Sequence, residues 1–298
     1  MRITENLLSS RTLSDIQNVL RKYSDLNSQL TSGKKVRYPS DNASVATRIS
    51  NLDSRLREIE RYKTNVETAQ NYVNMYDTAL QEVSSIYLRI KELAVRGAND
   101  TLSEDDRVAI TEELNKINTQ LVSIANTEIS GNYVFGGAKN NQKVVEIDSN
   151  GDFKIKVPPQ ANIRHKISVG GQDIEYGKTV YDAFVTDSGA SIFGVVKRLS
   201  GAIESGNNTS IQTELGNIEE IQAKTLNNLA EIGATQRVLE MTSNRMEDFK
   251  FFSTEFLSNE ADADIAQVVM ELAMQQNVLQ AALKAAGNII PPTLADFL

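Results

Sequence analysis

Cysteine and tryptophan are missing from this 298-residue chain, and histidine occurs once, at His165. Without cysteine there are no disulfides and no thiolate metal sites, and a lone histidine leaves most zinc chemistry and most nucleophile–base pairs without parts. No cofactor is expected. Proline is scarce, five residues in all, and between Ser40 and Arg96 there is neither proline nor glycine. No apolar run reaches the about 18 residues that read as a membrane span. The opening stretch, MRITENLLSSRTLSDIQ, lacks the apolar core of a secretory signal peptide. If the protein leaves the cell, the expectation is a route other than general secretion. Positive charge is outnumbered, 31 Lys and Arg against 39 Asp and Glu, a formal −8. That balance excludes nucleic acid and anionic membrane surfaces as expected partners, because both need clustered cations.

What is present is a soluble composition, 40% hydrophobic and 23% charged, apolar enough to fold. Helical periodicity fills the first 130 residues. Leu13, Ile16, Leu20, Tyr23 and Leu30, with Asn27 at the missing position, form a heptad series that ends near Gly33. Pro39 and the Ser40–Asp41–Asn42 run then supply a stop and a new N-cap. The uninterrupted stretch that follows carries Val45, Ile49, Leu52, Leu56, Ile59 and Val66, continued by Val73, Tyr76, Leu80, Val83, Tyr87, Ile90 and Ala94. A helix of roughly 55 residues extends about 80 Å, which signals a rod. Gly97 ends it. Ser103 with Asp106 caps the next helix, whose stripe is Ile110, Leu114, Ile117, Leu121 and Ile124, and the short turn makes the two an antiparallel hairpin.

The middle changes period. KVVEIDSNGDFKIKV alternates on both sides of Asn150–Gly151, and IRHKISVGGQDIEY does so around Gly170–Gly171, so residues 138–188 read as a small β insertion. Helical spacing returns near Ile192. Ile211, Leu215, Ile218, Thr225, Leu229, Ile232 and Leu239 then predict a long helix to about Phe256, with Gly216 and Gly233 each weakening it by about 1 kcal/mol. After the break SNEADAD comes the last helix.

That last helix is the informative one. Ile265, Val269, Leu272, Gln276, Leu279, Leu283, Ala286 and Ile290 step by four and three without a slip, and the only charges from Ile265 to Ile290 are Glu271 and Lys284. The other faces carry Ala, Val and Met, so the helix expects cover nearly all round. The helix of Leu13–Leu30 covers one stripe; neighbouring copies of the chain are the economical cover for the rest, against the plainer reading of a monomer's core helix. Burying five or six Leu, Ile and Val side chains contributes roughly 10 kcal/mol gross, at about 1.5–3 each. The chain ends are therefore expected to fray alone and to become helical against neighbours.

Other features have bland explanations. His165, in the alternating set Ile163, His165, Ile167 and Val169, reads as a half-buried hairpin residue with no second ligand beside it. DSNGD at 148–152 has part of a calcium loop's spacing but lacks the bidentate glutamate, so it reads as a turn. Asp262 and Asp264 precede a helix and read as capping residues. FGG at 135–137 lacks the spacing of a phosphate loop and marks the passage from helices to insertion. Asn27 and Gln276 occupy heptad positions, where polar residues either set register or are tolerated.

Three segments, TSGKKVRYPSDNASVA, LAVRGANDTLSEDDRVAI with IANTEISGNYVFGG, and DADIAQVVMELAMQQNVLQAALKAAGNI with LADFL, resemble the flagellin superfamily in the right order at both chain ends. The MRIT opening, the GKKVRYPSDN loop and the short insertion are similar to its junction-type members rather than to filament flagellin. The resemblance covers about residues 1–137 and 225–298. It implies a fold that is mainly α: an elongated rod of long helices, a coiled coil formed by the N- and C-terminal segments, and a small β-rich insertion. The expected domains are 1–42 plus 260–298 for assembly, 43–137 plus 189–259 for the rod, and 138–188 for the insertion. The resemblance further implies a non-enzymatic adapter at the hook–filament junction, exported by the flagellar type III apparatus. Its implied partners are copies of itself, a neighbouring hook-associated junction protein, flagellin, and a cytoplasmic export chaperone on the C-terminal helix. Rival readings are a filament flagellin with a reduced outer domain and a secreted coiled-coil adaptor or tip protein. Leu13, Ile16, Leu20, Leu30, Ile265, Val269, Leu272, Leu279, Leu283 and Ile290 are the residues expected to carry assembly, through a head-to-tail contact of two different surfaces.

Overall fold

The computed structural model describes residues 2–99, 102–148 and 151–289, with the side chains of 2–6, 8, 288 and 289 outside the description. The order of elements is α1 (Arg2–Ser32), α2 (Ala43–Gly97), α3 (Glu104–Ala125), β1 (Glu128–Ile129), β2 (Asn132–Tyr133), β3 (Val145–Ile147), β4 (Phe153–Ile155), β5 (Lys166–Val169), β6 (Gln172–Glu175), α4 (Val180–Phe184), α5 (Ile192–Glu204), α6 (Asn208–Ala261) and α7 (Ile265–Ile289). The chain is mainly α. It divides into two compact units, residues 61–247 and residues 1–60 with 248–298.

Local chemistry sets the helix ends where the sequence places them. α1 stops at Gly33, whose φ of +68° is open to glycine at little cost. Asp41 accepts the backbone N–H groups of Arg37 and Tyr38, which curls the loop, and the Asn42 side chain accepts from Val45 N–H at 3.1 Å to cap α2. Ser103 Oγ accepts from Asp106 N–H, with Glu104, Asp105 and Asp106 in the first turn of α3. Asp264 Oδ1 accepts from Gln267 N–H and starts α7.

In the unit of residues 61–247, α2 and α3 run antiparallel, joined by Arg89 to Glu113 at 2.7 Å and Gln120 to Glu82 at 2.9 Å. The predicted stripe from Val66 to Ala94 is buried, as is the whole stripe of α3. α5 packs on α3, and its Ile203 lies so close to Gly97 that a Cβ there would sit 2.6 Å from Ile203 Cδ1. α6 buries Ile211, Ile218, Ile221, Ile232, Leu239 and Met246, and neither Gly216 nor Gly233 interrupts it.

An aromatic run ties the insertion to the helices. Tyr76 of α2 meets Phe135 at 5.4 Å between ring centres, Phe135 meets Phe184 at 5.2 Å, and Phe184 meets Phe193 at 5.6 Å. The Tyr76 hydroxyl donates to the Val134 carbonyl and that of Tyr87 to the Ala183 carbonyl, as buried hydroxyls require. Burial pushes both phenols far above their ordinary pKa.

Among the described residues the strands form three separate two-stranded hairpins, β1–β2 just before the insertion and β3–β4 and β5–β6 within it. β3–β4 pairs Ile147 with Phe153 and β5–β6 pairs Val169 with Gln172, as the turn sequences predict; Asn150 itself lies outside the described residues. β1–β2, around Ser130 and Gly131 with φ of +51° and +81°, is not expected from the sequence, and neither is α4. Gly137 is constrained in two ways. It combines φ of +54° with a virtual Cβ 2.8 Å from the Ala161 carbonyl oxygen, so Gly137→Ala is expected to destabilise this unit by about 1–3 kcal/mol, read as a lower urea midpoint at unchanged slope.

In the unit of residues 1–60 and 248–298, α1 lies antiparallel on α7. The break between α6 and α7 is fastened to the Gly33 turn. Lys35 N–H donates to the Ala261 carbonyl at 2.7 Å, Ala263 N–H donates to Gly33 at 2.9 Å, and Lys34 pairs with Asp262. The C-terminal end of α1 and the N-terminal end of α7 are thus held together by backbone hydrogen bonds as well as by side chains.

Candidate functional site

The face that α1 turns to α7 is Thr12, Ile16, Val19, Tyr23, Leu26 and Leu30; α7 answers with Val268, Leu272, Gln275, Leu279, Ala282 and Ala286. Gln275 Nε2 donates to the Val19 carbonyl at 3.3 Å and Gln276 Nε2 to the Tyr23 hydroxyl at 3.2 Å, which together with the Lys34–Asp262 bridge fix the register. Each series steps by three and four, so both helices carry two overlapping heptads. The expected series shares Ile16, Tyr23 and Leu30 with the inner seam of α1, and Leu272, Leu279 and Ala286 with that of α7. Its other members lie outside the seam: Leu13 and Leu283, each 54% exposed, and Leu20, Ile265 and Val269, all exposed. Ile290 lies outside the described residues.

The difference has a physical cause. Small residues, Thr12 on one side and Ala282 and Ala286 on the other, let two helices approach closely, and the larger Leu13 and Leu283 are displaced from such a seam. At roughly 100° per residue, Leu13 and Leu20 stand about a quarter-turn from the centre of α1's inner face, and Ile265, Val269 and Leu283 about as far from that of α7. Because the helices are antiparallel, rotation in the same sense carries both sets to the same side of the pair. The antiparallel register places Leu13 level with Leu283 and Leu20 level with Gln276. The result is one open apolar flank spanning both helices, with the exposed Asn27 and Gln276 among its leucines. Geometrically this is a seat for a further helix.

Sequence reasoning missed Val19, Leu26, Val268, Gln275 and Ala282. Their signal was a second three–four series displaced by one position, weaker only because Thr, Gln and Ala count for less than Leu and Ile.

The titratable groups act as fasteners. Asp262 accepts from Lys34 Nζ at 2.5 Å and from Ser258 Oγ at 2.6 Å, and these bonds hold its carboxyl below the ordinary range. His165 is half-buried between Tyr176 and Tyr72, with ring centres 6.0 and 6.1 Å away, and burial lowers its pKa. In the DSNGD turn, Asp148 accepts from Asp152 N–H and pairs with Lys154. Among the described residues no three His, Asp or Glu side chains are placed to hold a metal, and no helix is long and apolar enough to cross a membrane.

Asp182 supplies a pH dependence. Burial works to raise its pKa, but Arg164 at 2.8 Å and the backbone and hydroxyl of Thr179 outweigh burial and hold it below the ordinary value. A carboxyl lowered in the folded state stabilises above its unfolded pKa, and that contribution is lost as pH falls through the folded one. Thermal melts are expected to show stability falling below about pH 4, and Asp182→Asn is expected to flatten that acid limb.

With this geometry in place, the likeness to known proteins takes a definite form. Residues 3–140 match the bacterial flagellin N-terminal helical region. The proteins this chain resembles are thus flagellins and flagellar hook-associated proteins. Over 95% of both chains the protein is 25% identical to flagellar hook-associated protein 3 of Salmonella typhimurium. It is 23% identical to flagellin of Listeria monocytogenes over the full chain and 99% of that protein. The structure of flagellar hook-associated protein 3 from Legionella pneumophila shares the fold, with a TM-score of 0.64 at 15% identity, covering 71% of this chain and 98% of that one. The chain's homologues are structural components of the flagellum, hook-associated protein 3 among them, and are related to flagellin.

Proposed function

We propose that this chain is a non-enzymatic structural subunit that joins hook to filament, and that it assembles through α1 and α7. The observation that carries the reading is the open flank of Leu13, Leu20, Ile265, Val269 and Leu283, large apolar side chains that a single chain leaves exposed on one side of the helix pair. The inner-seam residues Ile16, Leu30, Leu272 and Leu279 position that flank. The domain division that goes with this reading is 1–42 plus 260–298 for assembly, 43–137 plus 189–259 for the long helices, and 138–188 for the insertion.

The subunit reaches its place through the flagellar type III apparatus, with a cytoplasmic chaperone covering the C-terminal helix beforehand. Its neighbours are copies of itself, an adjoining hook-associated protein and flagellin. A deletion strain tests this: the expected phenotype is a completed hook without a filament and flagellin shed into the medium. Short hooks, or normal filaments, would refute the junction role. Long filaments built from this chain alone would identify it as a filament flagellin.

A further inference from the structure

Near its C-terminal end, α6 carries four phenylalanines that the fold leaves open. Phe249, Phe252 and Phe256 recur at spacings of three and four along one side of the helix, beside its contact with α2, where Lys250 pairs with Glu60. Phe251 leans edge-on against Phe252 at 5.7 Å. All four are exposed, from 46% to 67%. Aromatic side chains carry about 150–250 Å² each, so the ridge leaves roughly 450 Å² open, near the upper end for one patch on a monomer. The junction reading does not use these rings.

A surface of matching length and chemistry exists in the same unit. On α7, Met270, Met274 and Val278 step by four along the face turned away from α1, with the two methionines more than 60% exposed. Each set spans two turns, about 10–12 Å. Within the Met270–Val278 stretch the one charged residue is Glu271, whose carboxylate accepts from Gln267 Nε2 at 2.7 Å, so the rings meet a face that is uncharged apart from that one partnered carboxylate. Thioether sulfur packs well against ring edges, and methionine adapts to irregular partners.

We infer that the phenylalanine ridge of one copy takes the methionine face of α7 from another copy, a second head-to-tail contact distinct from the leucine flank. This rests on the reading that copies assemble side by side. Area argues for a copy inside an assembly over a free dimer. The ridge and the methionine face together bury roughly 750 Å², below the about 1,200 Å² typical of stable pairs, so the contact forms where many copies repeat it and not in dilute solution. Two different surfaces, one on each neighbour, propagate into a ring or tube.

The cysteine-free sequence makes the test clean. F252C and M274C chains, each made alone, are mixed, assembled and treated with a mild oxidant. A cross-linked dimer is expected from the mixed assembly only, and not from the dilute mixture or from either variant assembled by itself. A band from F252C alone would mean a self-complementary contact and overturn the proposal. So would incorporation of both variants, seen by imaging, with no band in the mixture. Should either variant fail to incorporate, F252S and M274S are expected to weaken incorporation about tenfold at an unchanged melting temperature, and unaltered incorporation of both overturns it. Incorporation of the unmodified chain, scored first, tests the assembly reading separately.

Discussion

Leu283→Asp is expected to abolish incorporation into the flagellum while leaving the free chain folded. Leu283 is more than half exposed on the open flank, and surface substitutions of this kind usually change stability by less than about 0.5 kcal/mol. Covered by a neighbour, the same carboxylate would lose its water without gaining a partner, at a cost of several kcal/mol. About 4 kcal/mol is roughly a thousandfold in each contact, and every copy bears it. Leu279→Asp provides the contrast. Leu279 is partly covered in the inner seam, so its replacement is expected to loosen α1 from α7 in the free chain as well as to block assembly. Thermal melts and hydrogen exchange of the free variants, set beside fluorescence imaging of their incorporation, separate the two. Normal incorporation of Leu283→Asp would remove the flank from the mechanism.

The largest stability effect is expected at Phe184. Its ring is fully buried between Phe135 and Phe193, where α4, α5 and the 134–136 turn meet. Truncating a buried phenylalanine costs about 3–5 kcal/mol, because the lost transfer free energy is joined by a cavity that rigid neighbours fill poorly. Against the about 5–15 kcal/mol that hold a folded protein together, Phe184→Ala is expected to take a large share of the stability of the unit of residues 61–247. Urea titration followed by circular dichroism checks it. A loss below about 1 kcal/mol would mean that the aromatic run is not the core of that unit.

The long helices were legible in the sequence because their signals are local and redundant. Gly33, Asn42, Ser103 and Asp264 each act on backbone groups within a few residues, and the stripe of α2 repeats too many times for chance spacing to imitate it. The hairpins around Gly151 and Gly170–Gly171 were legible for the same reason. The β1–β2 hairpin was not, since two-residue strands carry no alternation to count, and α4 is a single turn fixed by a Thr179–Asp182 capping box and by Phe184 reaching the aromatic core. The aromatic run itself joins residues more than a hundred positions apart, which periodicity does not register.

The candidate site was half legible. A heptad was plain in both terminal helices, but two heptads overlap there, and summed hydrophobicity selects the one with the larger side chains. Close packing of a helix pair selects the other, through Ala282 and Thr12. Placing Leu13, Leu20 and Leu283 outside the inner seam required the partner helix and its register. That displacement is also what the proposed assembly needs: side chains used up in the α1–α7 seam would be closed to a neighbour.

Hydroxyl-radical footprinting of Leu13, Leu20, Ile265 and Leu283, with the chain dilute and then assembled, tests the account most directly. Strong labelling of all four in the dilute chain is expected, falling at least about tenfold on assembly, while buried core positions such as Leu80 and Leu121 stay equally protected in both states. Labelling of the four that is already low in the dilute chain, or that is unchanged by assembly, would contradict the claim that these helices present a face for neighbouring copies to cover.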